Sequence, residues 1–430
     1  MKRLCVINVV GMTPRLLPHA PRLAAIGLPR PWTSPVPAVT ATSQATMYTG
    51  KPPRDHGIVG NGWLYRDTQE VRFWQQSRHL IQGELFYEKY ETAKMFWWFN
   101  QATNARYGAT PKPHYGCDGS KAFDVLDWTG CDLTGKLGPF PFFAFWGPGS
   151  GIASSNWIAD ATALMMREKQ PQLTLCYLPH LDYDFQRFDN HDPARVAEVD
   201  AAAGRVIDAA ADIGAKVIVV SEYGLTRVNR PVHLNRVLRQ HGFLRTRMGP
   251  YGESLLVPDC EAVAIADHQV AHVYVRQPQN IETVAKLLRD VPGVAAVTLP
   301  GELQLDHPRS GELIVLAEAD SWFTYYYWND DRDAPDFAHT VDIHRKPGYD
   351  PCELFMTSRV RAAARLFQKK IGMRYKMDVI PLNATLVRGS HGLLASDPDA
   401  GPLVIGPGEP PENMTGLPAY VDSLLSPIST

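Results

Sequence analysis

The sequence predicts an α/β fold, a mainly parallel central sheet flanked by helices, with a small inserted α+β cap. Residues 4–10 (LCVINVV) form a nearly unbroken apolar run that stops at Gly11, the profile of a strand covered on both faces. Residues 193–213 set Val196, Val199, Ala203, Val206, Ile207 and Ala210 at helical spacing. They lead through Gly214 into an apolar strand at 216–220, which completes a strand–helix–strand unit. Polar groups gather just past two strand ends, at 179–187 and 221–224, and open parallel sheets carry their sites beyond the carboxyl ends of the strands.

The stretch 37–63, PAVTATSQATMYTGKPPRDHGIVGNGW, follows the first strand. A short extended approach ends at Thr40, and the Thr, Ser, Gln and Ala after it suit about two helical turns before Thr49-Gly50. Thr40 is therefore expected at or beside a helix N-cap, where unpaired backbone N–H groups and the helix dipole favour an anion. A hydroxyl there is either a structural cap or a nucleophile.

Residues 64–150 are less informative, with a strand-like piece at 94–99 and a Pro/Gly/aromatic loop at 138–151. Their aromatics suit a core or a pocket lining. A helix is expected over 154–169 and a buried strand over 173–178, which runs into His180, Asp182 and Gln186. The core is expected at 1–250 and 351–430, the cap at 251–350. Within the cap, strands at 270–276 and 312–318 flank a helix at 281–290, and Asp342, His344, Arg345, Lys346 and Asp350 cluster near its end. Those residues suit either a metal or phosphate site or a salt-bridged surface turn. Residues 402–430 read as a Pro/Gly-rich surface tail.

The chain has 430 residues and a net charge of −2, so no basic field favours nucleic acid or an acidic membrane surface. Six scattered cysteines make neither a zinc knuckle nor a disulfide framework and suit a reducing compartment. Residues 1–11 lack a secretory leader pattern, and no run approaches the roughly 18 apolar residues of a membrane span. The expectation is a cytoplasmic protein that meets neither nucleic acid nor membrane; the oligomeric state is left open.

The pattern T-x-x-x-x-x-T-x-x-T-G-x-x-P-x-x-H-G-I-x-x-N at 40–61 resembles the nucleophile segment of the alkaline phosphatase superfamily, in its type I phosphodiesterase/nucleotide pyrophosphatase branch. The resemblance extends to 174–226 and 386–392 and implies an alkaline-phosphatase-like core. It makes Thr40 the residue that attacks phosphorus and Asn61 the donor that steadies the phosphoryl oxygens. It also implies divalent metal, one or two ions per chain, zinc by family habit with manganese or iron as alternatives. Asp182 and His391 match ligand positions of the first ion.

Four ligand positions depart from the pattern: Val10 stands for an aspartate, Gln186 for a histidine, Glu222 for an aspartate and Tyr223 for a histidine. The expected metal set is Asp182, His391, Glu222, Gln186 and His344, with Asn8 a weak substitute for the lost carboxylate. Tyr223, His180, Arg345 and Lys346 are expected to bind substrate. These readings imply a metal-dependent hydrolase of a phosphodiester, phosphomonoester or pyrophosphate in a small molecule. Ala41, where nucleotide-binding relatives often carry an aromatic residue, points to a smaller substrate. A non-catalytic metabolite-binding scaffold and a phosphotransferase or isomerase are the alternatives.

Overall fold

The computed structural model describes residues 2–117, 121–188 and 192–426. It divides into two compact units. The first comprises Met1–Ile58, Gln76–Leu225 and Leu394–Thr430; the second comprises Val59–Gln75 and Thr226–Leu393. The expected cap lies wholly inside the second unit, which also takes in 59–75, 226–250 and 351–393.

The first unit is built on an eight-stranded sheet in the order Arg30–Pro31, Leu403–Ile405, Ala215–Val220, Arg3–Val9, Leu173–Leu178, Thr92–Met95, Tyr107–Pro111 and Val125–Asp127. The central pairings are parallel, and antiparallel strands close both edges. The three apolar strands read from the sequence are its centre. Helices Ile152–Lys169 and Pro193–Asp212 bury their apolar faces, as the periodicity requires. Each Val or Ile so buried contributes about 1.5–3 kcal/mol.

Two local expectations fail. Residues 402–426 are no surface tail: Leu403–Ile405 is fully buried in the sheet beside Val219 and Val220. Helix Leu417–Leu425 buries Leu417, Tyr420, Val421 and Leu425. Flanking Pro and Gly masked a three-residue strand too short to show periodicity. The strand expected at 94–99 ends at Met95, because Phe96 and Phe99 take left-handed backbone angles. The aromatics around it are core: Phe96, Phe140, Phe145 and Trp157 pack edge-on or tilted against one another.

The second unit carries a four-stranded antiparallel sheet in the order Ala262–Asp267, Val270–Val275, Leu313–Ala317 and Val294–Thr298. Helix Ile281–Arg289 buries Val284, Ala285 and Leu288. This is the expected strand–helix–strand layer plus two strands that sequence reading missed. Tyr325, Tyr326, Tyr327 and Trp328 are all buried, with ring centroids 4.5 to 5.5 Å apart along the run, so this segment is the unit's core. Among the described residues no helix is long and apolar enough to cross a membrane.

Candidate active site in two groups

The first group belongs to the first unit. Val39 caps the helix Thr40–Thr49, so Thr40 is its first helical residue rather than the cap. Ser43 N–H bonds to Val39 C=O and starts the intrahelical ladder, which leaves Thr40 among the first-turn N–H groups that point toward an anion. Nine of the ten helix residues are buried, unusual for so polar a segment, and Thr40 itself is 5% exposed. Its Oγ1 shares a 2.9 Å hydrogen bond with the Tyr223 phenol. Burial, then the nearby acids Asp182 and Glu222, push that phenol well above its ordinary pKa, so it keeps its proton.

One turn beyond Thr40, Gln44 faces the same way. Its Nε2 donates to Glu222 Oε1 at 2.7 Å, and Asn8 Nδ2 donates to the same oxygen at 2.7 Å. Asn8 sits opposite Val220 in the parallel register, two residues before Glu222. Burial pushes the Glu222 carboxyl up to about 8, opposed by hydrogen bonds from Gln44, Asn8 and Thr40. Gln44 was missed in the sequence; its signal is the four-residue spacing from Thr40.

Two glycines keep this group tight. Gly11 has φ of +81°, and a Cβ there would lie 3.1 Å from the Leu225 side chain and 3.4 Å from the Asp182 backbone N. A Cβ on Gly224 would lie 1.9 Å from the Ala400 carbonyl oxygen. His56, the histidine of the His-Gly pair, is structural: its Nδ1 accepts from Ile58 N–H and its Nε2 meets Thr46 Oγ1 at 3.0 Å.

Also in the first unit, helix His180–Arg187 carries the next candidates. Gln186 Nε2 donates to Asp182 Oδ2 at 3.1 Å, one turn apart. His180 lies 3.3 Å from the Asp184 carboxylate, and burial keeps its ring neutral, with a pKa lowered to about 4. Asp184 is itself held by Arg187 at 2.6 Å and Arg195 at 2.7 Å. These contacts set the neutral His180 ring beside a buried ion-pair cluster.

The second group belongs to the second unit. Asn61 donates twice to Asp267, through its backbone N at 2.7 Å and through Nδ2 at 3.0 Å. Burial pushes Asp267 up to about 6, opposed by the Asn61 backbone bond, by His391 and by the Asn61 side chain. His268, in the turn between two strands with φ of +61°, is stacked between Tyr349 at 3.7 Å and His391 at 3.6 Å between ring centroids. The sequence reading missed Asp267 and His268, which carry no family motif; their one cue is a polar Asp-His-Gln break between two apolar runs.

The cluster at 342–350 resolves toward structure. Burial alone would lower the Lys346 pKa, yet Asp350 and Glu353, each 2.7 Å away, hold it above the ordinary value. Lys346 is 1% exposed in its side chain and saturated by two carboxylates, so it does not grip a phosphate as expected. Arg345 is exposed and pairs with Asp342 at 3.3 Å. His344 Nδ1 lies 3.4 Å from the Phe73 carbonyl oxygen. His344 and Arg345 both border an open pocket in this unit with Arg72, Ser254 and Tyr327.

The donor chemistry does not suit the second implied metal position. Val10 offers no donor, Tyr223 is a neutral phenol bonded to Thr40, and Glu222 Oε1 is taken by two amide N–H groups. That leaves Glu222 Oε2 as a single oxygen, short of a zinc shell's three protein donors. At the first position Gln186 Nε2 donates to Asp182 Oδ2. No group of three or more His, Cys, Asp or Glu side chains suited to a metal occurs among the described residues.

A type I phosphodiesterase/nucleotide pyrophosphatase family model matches residues 4–350. Among solved structures, a phosphonoacetate hydrolase from Sinorhizobium meliloti 1021 in complex with phosphonoformate superposes with a TM-score of 0.61 at 14% identity, over 99% of this chain and 96% of that one. An inactive variant of murine ectonucleotide pyrophosphatase/phosphodiesterase 5 in complex with AMP gives 0.57 at 13% identity, over 99% and 95%. The human form of that protein gives 0.58 at 12% identity, over 99% and 95%. No curated protein matches the sequence. At such identities the neighbours speak for the alkaline-phosphatase-like fold alone.

Proposed function

Because the chain belongs to the type I phosphodiesterase/nucleotide pyrophosphatase family, we propose that it hydrolyses a phosphorus ester or anhydride of a small molecule, with Thr40 as nucleophile. The observation that carries this reading is the placement of Thr40: first residue of a buried helix, its hydroxyl fixed at 2.9 Å by a phenol that keeps its proton. Oγ1 bonds to phosphorus as the bond to the leaving-group oxygen breaks, the hydroxyl proton ends on that oxygen, and water then cleaves the phosphothreonine and restores Thr40; the N-terminal N–H groups of the helix face the phosphoryl oxygens, and a hydrogen bond from Tyr223 steadies negative charge on Oγ1. For Asn61 we propose the donor role that the family pattern gives that position; its two hydrogen bonds to Asp267 support a fixed orientation.

A compact substrate is favoured by Ala41, which offers no ring for a nucleobase. Asp182 in the first unit and His391 in the second are proposed to meet substrate or an ion. Turnover of a panel of phosphomonoesters, phosphodiesters, pyrophosphates and phosphonates by wild type, absent in Thr40→Ala with an unchanged circular dichroism spectrum, is the expected result. Full activity in Thr40→Ala would remove threonine attack from the account.

One observation favours a second reading, a scaffold that binds such a molecule without turning it over: the Glu222 carboxyl, pushed to about 8, is mostly uncharged at neutral pH. That reading predicts ligand-induced thermal stabilisation with no product from any member of the panel.

A further inference from the structure

We infer that the position where the family calls for a second metal ion is closed in this chain by a protein clasp, in which the side-chain amides of Asn8 and Gln44 hold the buried Glu222 carboxyl. The inference deepens the reading of Thr40 as nucleophile, since it says what surrounds that hydroxyl in place of a cation.

The orientation of Gln44 is set by the backbone beside it. Its Oε1 accepts the Trp98 backbone N–H at 2.8 Å, and a backbone N–H has no other polarity. The amide is thereby fixed, and Nε2 must be the end that meets Glu222 Oε1 at 2.7 Å. A donor stands where a cation would require an acceptor. Asn8 adds a second donor to the same oxygen from the central strand, so the helix that carries Thr40 and the strand beside Glu222 are tied through one atom. Glu222, Gln44 and Asn8 are all fully buried, which makes each unmade bond costly and the arrangement hard to reorganise around an ion. The loss of a donor at Val10 and the exchange of an imidazole for the Tyr223 phenol follow the same logic. With Glu222 Oε1 held by two amides, that carboxyl keeps only Oε2 open.

The test counts metal in the full-length protein. Wild type, Glu222→Gln and Gln44→Leu are each incubated with zinc or manganese, freed of excess ion, and assayed for bound equivalents and thermal midpoint. Glu222→Gln retains an oxygen for both amides, so the clasp predicts the same equivalents as wild type. Loss of an equivalent in that variant would overturn the inference. Gln44→Leu removes a donor and is expected to lower the midpoint; an unaltered midpoint would overturn the inference even where Glu222→Gln fails to fold. Neither readout depends on turnover, so active Thr40→Ala would end the nucleophile reading and leave the clasp standing.

Discussion

The two units each bury a carboxyl against amide donors, and the outcomes differ. In the first unit Glu222 receives both amides on one oxygen and is pushed up to about 8. In the second unit Asp267 receives one N–H on each oxygen, one of them from the backbone, with His391 adding to the pull, and stays at about 6. Burial dominates in both; the neighbouring charges differ in sign, since Asp182 pushes Glu222 further up whereas His391 draws Asp267 down. At neutral pH the acid beside Thr40 is mostly uncharged, whereas the acid that orients Asn61 is mostly an anion. The first unit surrounds Thr40 with neutral hydrogen bonds; the second holds Asn61 with charge.

The largest effect should come from Thr40→Ala, a loss of turnover on the order of 10³-fold or more with folding preserved. Next in size is Lys346→Met, which strands Asp350 and Glu353 as buried charges and should destabilise the fold by about 3–5 kcal/mol in denaturant titrations. Arg345→Ala, at an exposed pair, should stay within about 0.5 kcal/mol of wild type. Equal effects of the two would remove the buried Lys346 pairing as a structural anchor.

Asn61→Ala tests the second half of the comparison, with an expected fall in kcat of about 10²–10³ by analogy with other oxyanion donors. Asp267→Asn should reproduce part of that loss by turning a donor toward a donor, while leaving KM nearly unchanged. An unaltered kcat in both would remove Asn61 from the reaction.

A smaller, pH-linked effect separates structure from site. His272 donates from Nε2 to the Val59 carbonyl and accepts the Gly311 N–H at Nδ1, so a protonated ring would point hydrogen at hydrogen. Burial lowers its pKa to about 4 against 6.5 when exposed. The unfolded chain therefore binds a proton that the fold refuses. This contribution is full above pH 6.5 and is lost as pH falls toward 4, about 3 kcal/mol in all. His272→Gln should flatten that limb of a stability–pH curve.

Much of the first unit was legible because its central strands are long apolar runs and its helices have a clean 3.6-residue period. The edge strand Leu403–Ile405 and helix Leu417–Leu425 were lost because three residues between Pro and Gly carry no period. Thr40, Asn61 and Asp182 were named because a motif holds them. Gln44 and Asp267 were not, since their roles arise from contacts across 178 and 206 residues of sequence. Lys346 was misread because a lysine beside an arginine looks solvent-facing until Asp350 and Glu353 are folded around it.

The most direct test of the central claim is acid quench during turnover of an activated phosphoester, followed by peptide mass analysis. The account predicts a phosphoryl adduct on the peptide that carries Thr40, absent in Thr40→Ala. Steady product formation with that peptide unmodified at every quench time, undiminished in Thr40→Ala, would contradict it.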